Sequence, residues 1–286
     1  LQIGVNELVN LTWLSIHRAT LGRKFETPDG VESTVDAKVN EIATNLGSFL
    51  SSLDTSQARE TKNFQEEVFL SLLFNRSHNA FQLRRGIDVS EQKKTLETIF
   101  QQFGVSEQNF RSKLDQHFRV VGEAFQKSAQ DALTIDDVIA MTDTQRIRTL
   151  IDRWLKTQNR ISEIYSPKDR FSNIINSLFL RKKMIIDERN RPFVITEDGK
   201  TFGPAALSSG EKQLFILLGE VLLQEGQPYV FIADEPELSL HVEWQSTLVQ
   251  NLLSLNPNMQ IIFATHSPDI VSIYQDNIIR MEDKIL

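Results

Sequence analysis

The segment YVFIADEPELSLH, residues 229–241, decides the fold because an apolar strand runs directly into a pair of acids. The run from Val230 to Ala233 indicates a buried strand of an α/β core. Such a strand delivers Asp234 and Glu235 to its carboxyl end, where the binding sites of open α/β sheets lie. A solvated turn is the alternative interpretation of two adjacent acids.

The same pattern recurs downstream. QIIFAT, residues 260–265, is a second apolar strand, and His266 follows it directly before a helix start at SPDIV. Helices are predicted from Ser209 to about Gln224 and over about 239–254, so buried strands alternate with helices. This order predicts an α/β core with a parallel sheet. A lone histidine is more often a surface residue or a satisfied core residue, and that alternative stays open here.

Upstream of these segments, from Phe171 onward, the sequence predicts tight hairpins. KKMIIDERNRPFVITEDGKTF, residues 182–202, indicates two or three strands, with RNRP and EDGK at the corners. The Gly-Lys-Thr at 199–201 matches the tail of a phosphate-binding loop, but Val194 stands where the first glycine is needed. Asp198-Gly199 is a strong hairpin pair, so a hairpin is predicted, and no other stretch matches the loop motif.

Residues from about Val31 to Lys168 carry a helical pattern. An a/d seam on the first helix is formed by Val35, Val39, Ile42, Leu46, Phe49 and Leu53. The sequence favours a helical bundle or hairpin with apolar stripes in its core, and a long coiled-coil arm is the alternative. Before this region, residues 1–32 are short and mixed, with a strand around Val9 to Trp13 and a turn at ETPDG, residues 26–30.

Composition excludes several classes of protein. The chain has 286 residues, a net charge of -7 and no cysteine. Disulfides, cysteine zinc sites and thiol nucleophiles are therefore excluded, and the charge argues against coating of nucleic acid by the whole surface. No apolar run approaches the roughly 20 residues of a membrane span, and no signal peptide is visible. We expect a cytoplasmic protein without a membrane role.

Three segments, in order, resemble motifs of ABC-type ATPases. LSSGEKQL (207–214) resembles the signature motif, YVFIADEPELSLH the Walker B strand with its D-loop, and IIFATHSPDI (261–270) the switch-histidine segment. The D-loop form with Glu237, Ser239 and His241 is typical of soluble RecF-like, OLD-like and AAA-type defence ATPases, and is similar to the PtuA-like ATPases of Septu and retron systems. The resemblance implies an α/β ABC-type ATPase head with a parallel sheet and a large helical, coiled-coil-like insertion.

The resemblance also implies roles for individual residues. Asp234 would hold Mg²⁺, Glu235 would orient and deprotonate the attacking water, and His266 would contact the γ-phosphate. The signature residues implied to contact the ATP of an opposite subunit are Ser208, Ser209, Gly210 and Glu211. A helix N-terminus favours an anion, although a plain cap by Ser208 or Ser209 is the alternative.

The domain plan implied by these relatives has an N-terminal lobe remnant at 1–32, a helical insertion at 33–166 and a C-terminal ATPase lobe at 167–286. Their phosphate loop precedes the insertion, so either the natural protein has this loop upstream of Leu1 or this chain cannot hold ATP tightly. The implied function is a homodimer or higher oligomer closing around ATP and Mg²⁺ and controlling a separate HNH-type nuclease in antiphage defence. Retron relatives would add reverse transcriptase and its RNA–DNA hybrid. The alternatives are a RecF- or SMC-like repair ATPase that binds DNA directly and a non-hydrolysing scaffold.

Overall fold

The computed structural model describes residues 10–14, 24–27, 30–73, 89–128, 130 and 132–280. In chain order the elements are β1 (Asn10–Leu14), β2 (Lys24–Thr27), β3 (Gly30–Ser33), α1 (Thr34–Leu73), α2 (Val89–Gln102), α3 (Glu107–Ser128), α4 (Ile135–Leu178), β4 (Lys182–Ile186), β5 (Pro192–Thr196), β6 (Thr201–Phe202), α5 (Ser209–Leu222), β7 (Tyr229–Asp234), α6 (Val242–Leu255), β8 (Gln260–Ala264) and α7 (Pro268–Val271). Among these described helices, none is both long and apolar enough to cross a membrane.

The chain divides into two compact units. The first combines Leu1–Thr55 with Ile164–Leu286, and the second is Ser56–Glu163. Both boundaries fall inside the long helices α1 and α4. The predicted domain limits at 32/33 and 166/167 stay predictions.

A parallel sheet forms the centre of the first unit. Its strand order is β1-β7-β8, and both pairings are parallel, with Asp234 opposite Ala264 at the carboxyl end. The predicted α/β class with a parallel sheet and a large helical region is therefore confirmed. Parallel strands bring their carboxyl ends to one edge, so the residues that follow β7 and β8 meet there.

The core of the first unit is built around α5. This helix is apolar on nearly all sides, and Leu214, Phe215 and Leu217 are fully buried. Burial of each such side chain contributes roughly 1.5–3 kcal/mol. The first half of α1 packs closely on α5, because Gly219 leaves room for the Cγ2 methyl of Ile42.

Some predicted helix limits are wrong. The predicted change of pattern at Phe171 does not occur there, because α4 continues through Pro167 to Leu178. Phe171 and Ile175 are fully buried in the core, so tertiary packing outweighs the local signal of a helix break at proline. The first helix begins at Thr34, after β3, and α6 begins at Val242 because residues 235–241 form a loop.

In the second unit, α1 and α4 run antiparallel. Arg160 Nη1 lies 3.1 Å from Glu60 Oε2, and Arg153 Nη1 lies 3.6 Å from Glu67 Oε2. An apolar stripe of α3 is buried at Phe110, Leu114, Phe118 and Val121. The rings of Phe100 on α2 and Phe110 on α3 stack at 5.1 Å.

The predicted hairpins upstream of α5 are confirmed. β4, β5 and β6 form one antiparallel sheet, and EDGK is a turn in which Gly199 has φ 79°. The Gly199 amide donates to the Thr196 carbonyl at 2.9 Å. The Gly-Lys-Thr sequence therefore belongs to a β-hairpin and does not form a phosphate loop.

Candidate functional site

The carboxyl edge of the parallel sheet brings three predicted site residues together. Asp234 ends β7 with an exposed side chain, and the Glu235 amide donates to the Ala264 carbonyl at 2.7 Å. Glu235 has φ 43°, a left-handed conformation that is uncommon outside glycine. Its Oε1 lies 3.9 Å from His266 Nε2, and the His266 side chain is 94% exposed. A carboxylate and an imidazole thus face the same solvent-accessible edge.

Hydrogen bonds from two other parts of the chain hold the turn that carries His266. Glu237 Oε1 accepts from Thr265 Oγ1 at 2.5 Å and from the His266 amide at 3.1 Å. On the other side, Ser267 Oγ donates to Gln245 Oε1 on α6 at 2.7 Å. The backbone on both sides of His266 is therefore fixed, although its ring is exposed.

The signature segment forms the N-terminus of α5. Ser208 is the N-cap, and its amide and hydroxyl donate to Glu211 Oε2 at 3.0 and 2.8 Å, as in a capping box. Lys182 Nζ lies 2.9 Å from Glu211 Oε1. Burial raises the pKa of Glu211, but the hydrogen bonds from Lys182 and Ser208 outweigh it and hold the pKa below its usual value. The Glu211 carboxylate is therefore bonded both to the start of α5 and to Lys182 on β4.

Two contacts join the start of α5 to the loop after β7. A Cβ on Gly210 would lie 2.3 Å from the Ser239 carbonyl oxygen, so only glycine fits without a shift. The buried Gln213 side chain donates through Nε2 to the Pro236 carbonyl at 2.7 Å. Ser239 itself has φ 71°. These two contacts link the signature segment directly to the loop of the catalytic candidates.

Of the predicted site residues, Asp234, Glu235 and His266 share the sheet edge. Ser208, Ser209, Gly210 and Glu211 lie at the α5 N-terminus, which reaches this edge through the Gly210–Ser239 contact. The implied cofactor contacts of these residues stay predictions. No pattern in the sequence marks Lys182 and Gln213 as partners of the signature, and Glu237 is predicted only as part of the D-loop. No spacing rule joins residues 182 and 211, which meet only because β4 packs beside α5.

The residues present fit Mg²⁺ and a phosphate group. In the described ranges there is no group of three or more His, Asp or Glu side chains that could hold a metal by itself. Mg²⁺ is usually held by one or two carboxylates plus phosphates and water, which matches the exposed Asp234 beside Glu235. The α5 N-terminus offers backbone amides to an anion, whereas the Ser208 hydroxyl already donates to Glu211 Oε2.

These features, three motifs at one sheet edge and one helix start, define a class of protein. A family profile described as AAA domain, putative AbiEii toxin, type IV TA system, matches residues 65–272, and the chain belongs to this family. By family it is therefore an AAA-domain protein. It is 27% identical over 167 residues to the retron Vc95 probable ATPase of Vibrio cholerae serotype O1 biovar El Tor, covering 48% of this chain and 32% of that protein.

Other similarities are shorter or weaker. The energy-coupling factor transporter ATP-binding protein EcfA of Methanocaldococcus jannaschii is 36% identical over 85 residues, which are 29% of each chain. The chain thus aligns with about a third of the length of these two curated relatives. Among solved structures, the SMC head domain from Thermotoga maritima is 22% identical with a TM-score of 0.30, covering 40% of this chain and 43% of that chain. An Smc head with an extended coiled coil, derived from Pyrococcus furiosus, is 11% identical with a TM-score of 0.31, covering 82% of this chain and 51% of that chain.

Proposed function

We propose that this chain binds and hydrolyses ATP between two copies of its ATPase head. The observation that carries the proposal is the pair formed by Glu235 Oε1 and His266 Nε2, 3.9 Å apart at the carboxyl edge of β7 and β8. A general base must lie near the proton that it removes, and phosphoryl transfer depends mainly on positioning and charge stabilisation. A partly exposed acid and an exposed imidazole at one edge support both requirements.

Each residue has a separate task in this proposal. Glu235 orients the attacking water and accepts its proton, and His266 donates a hydrogen bond to the γ-phosphate. Asp234 would hold Mg²⁺, which would supply positive charge beside the phosphates. Ser208 and the amides at the start of α5 bind the γ-phosphate of the nucleotide on the opposite copy, with Ser209 and Gly210 lining that helix start.

We further propose that ATP-driven closure controls a separate effector in antiphage defence. Support comes from the similarity to a protein described as a retron ATPase. The proposed partner is an HNH-type nuclease, with a reverse transcriptase and its RNA–DNA product in a retron context.

The test compares the natural protein with its Glu235→Gln variant. The amide cannot accept the water's proton, so we expect kcat to fall by at least about 100-fold. ATP binding should persist, and the ATP-bound dimer should accumulate. Light scattering measures this as an increase in molar mass. Glu243→Gln is the matched control, because Glu243 is an exposed acid on α6 whose side chain is 81% accessible.

Two outcomes would contradict the proposal. Equal turnover in the wild type and Glu235→Gln would remove Glu235 from the reaction. ATP binding without turnover in any form, with or without the partner nuclease, would make the chain a scaffold.

A further inference from the structure

We propose that Glu237 is a positioning residue that fixes the turn carrying His266. Its effect on turnover rests on the proposed ATP hydrolysis, but its structural contact can be tested without nucleotide. Glu237 lies in the loop after β7, whereas Thr265 and His266 follow β8. The inference therefore concerns a link between the two strand ends that carry the candidate acid and the candidate imidazole.

The environment of Glu237 is unusual for an acid. The residue is only 8% exposed, and one oxygen, Oε1, receives both hydrogen bonds from the His266 turn. The other oxygen, Oε2, is buried without a hydrogen-bond partner among the described residues. Burying a half-satisfied carboxylate is costly, and such groups in native folds call for an explanation. The two bonds to the turn at 265–266 are the described hydrogen bonds that hold this carboxylate in place.

These bonds form part of a longer chain of contacts. Thr265 Oγ1 donates to Glu237 and accepts from the Ser267 amide at 3.0 Å. Glu237 Oε1 also accepts from the His266 amide. Thr265, His266 and, through Thr265, Ser267 are therefore oriented by one carboxylate oxygen. The His266 ring itself is 94% exposed and points its Nε2 toward Glu235. Glu237 thus acts through the backbone of His266 and does not contact the reacting atoms.

Variants of Glu237 separate this role from a general packing role. Glu237→Leu removes the acceptor at similar size. Glu237→Gln keeps a carbonyl oxygen for both donors, and its amide group replaces an oxygen that has no described partner. Thr265→Val removes only the hydroxyl donor and preserves shape, so it is informative even if Glu237→Leu folds poorly. Glu243→Leu is the control for loss of an exposed acid.

The first readout is the exchange of the His266 amide in the nucleotide-free protein. The sequence has five histidines, so ¹⁵N-histidine labelling gives a simple spectrum, and His266→Gln identifies the resonance. We expect exchange to be at least about 10-fold faster in Glu237→Leu, because the amide loses its acceptor. Glu237→Gln and Glu243→Leu should stay within about twofold of wild type. Unchanged protection in Glu237→Leu would overturn the inference.

The second readout is steady-state ATP hydrolysis, in which the change in kcat is compared with the change in KM for each variant. We expect kcat to fall roughly 10- to 100-fold in Glu237→Leu and less in Thr265→Val, with KM for ATP within about twofold. Glu237→Gln should restore most of the rate. Lost protection with an unchanged kcat would reduce Glu237 to a structural residue. A wild type without turnover would contradict the proposed function, and the exchange result would still decide whether Glu237 holds the turn.

Discussion

At the residue scale, two glycines on α5 mark where other elements touch this helix. A Cβ on Gly210 would lie 2.3 Å from the Ser239 carbonyl oxygen, and a Cβ on Gly219 would lie 2.4 Å from Ile42 Cγ2. Glycine in a helix interior costs up to about 1 kcal/mol relative to alanine. The close approaches therefore outweigh a local disadvantage, and they fix α5 against both α1 and the loop after β7.

The substitution Gly219→Ala tests this explanation. Overpacking costs about 1–3 kcal/mol, which exceeds the gain in helix propensity, so we expect the melting temperature to fall by roughly 2–4 °C for each kcal/mol of net loss. Ile42→Leu removes the Cγ2 methyl and should restore part of the stability in the double variant. Gly122→Ala on α3 is the control, because nothing lies within 4 Å of the added Cβ. If Gly219→Ala melts at the same temperature as the wild type, the α1–α5 contact can shift to accept a Cβ, and the explanation is wrong.

At the element scale, three helices begin in the same way. A hydroxyl residue caps the helix, an acid at the third helical position accepts from that cap, and a lysine from another part of the chain pairs with the acid. The three sets are Ser33, Asp36 and Lys212; Thr134, Asp137 and Lys127; and Ser208, Glu211 and Lys182. Each acid therefore stabilises a helix start and ties it to a neighbouring element.

The order of elements and the sheet edge were predictable, but these ties were not. Apolar runs before Asp234 and His266 indicated the two strands, since a buried strand has a clear sequence pattern. Lys182 and Glu237 gave no such signal, because their partners are set by which elements pack together. The continuation of α4 past Pro167 was hidden for the same reason: the buried Phe171 and Ile175 compensate for a residue that usually ends a helix.

The helix start at Asp137 predicts a pH dependence. Hydrogen bonds from the Thr134 side chain and amide and from Lys127 lower the pKa of Asp137 to about 2. A lowered pKa in the folded state means that Asp137 stabilises the fold above its unfolded pKa near 4. That contribution is lost as the pH falls from about 4 toward 2.

We therefore expect Asp137→Asn to lower the melting temperature at pH 7 by a few degrees, on the order expected for a lost helix cap in a chain of this size. Thermal unfolding followed by helix circular dichroism at pH 7, 5, 4 and 3 should show the difference shrinking below pH 4. Asp136→Asn, one residue earlier and exposed, is the control. A difference that is constant down to pH 3 would contradict the assigned origin of the stability.

At the scale of the whole molecule, the two units differ in how much apolar surface they bury. One continuous core in the first unit includes residues from α1, α4, α5, β7 and α6. The described part of the second unit has two small clusters of three buried residues each, around Trp154 and around Phe110. Local opening costs less free energy where fewer apolar contacts are lost.

Hydrogen–deuterium exchange should reveal this difference. We expect amides of α5 and β7 to exchange slowest, and amides of α2 and α3 to exchange on the order of 10-fold faster or more. The measurement is peptide-resolved exchange of the nucleotide-free protein near neutral pH. Equal protection in both units would mean that they unfold as one cooperative block.

The exposed ring of His266 on its fixed turn has an entropic consequence. A ligand that contacts this ring must restrict only the two side-chain torsions, because hydrogen bonds already hold the backbone at 265–267. Immobilising one side chain costs about 0.5–1.5 kcal/mol, whereas ordering a residue of loop backbone costs a further 1–2 kcal/mol or so. Binding of a ligand to this ring therefore avoids most of the loss of conformational freedom that a mobile loop would impose.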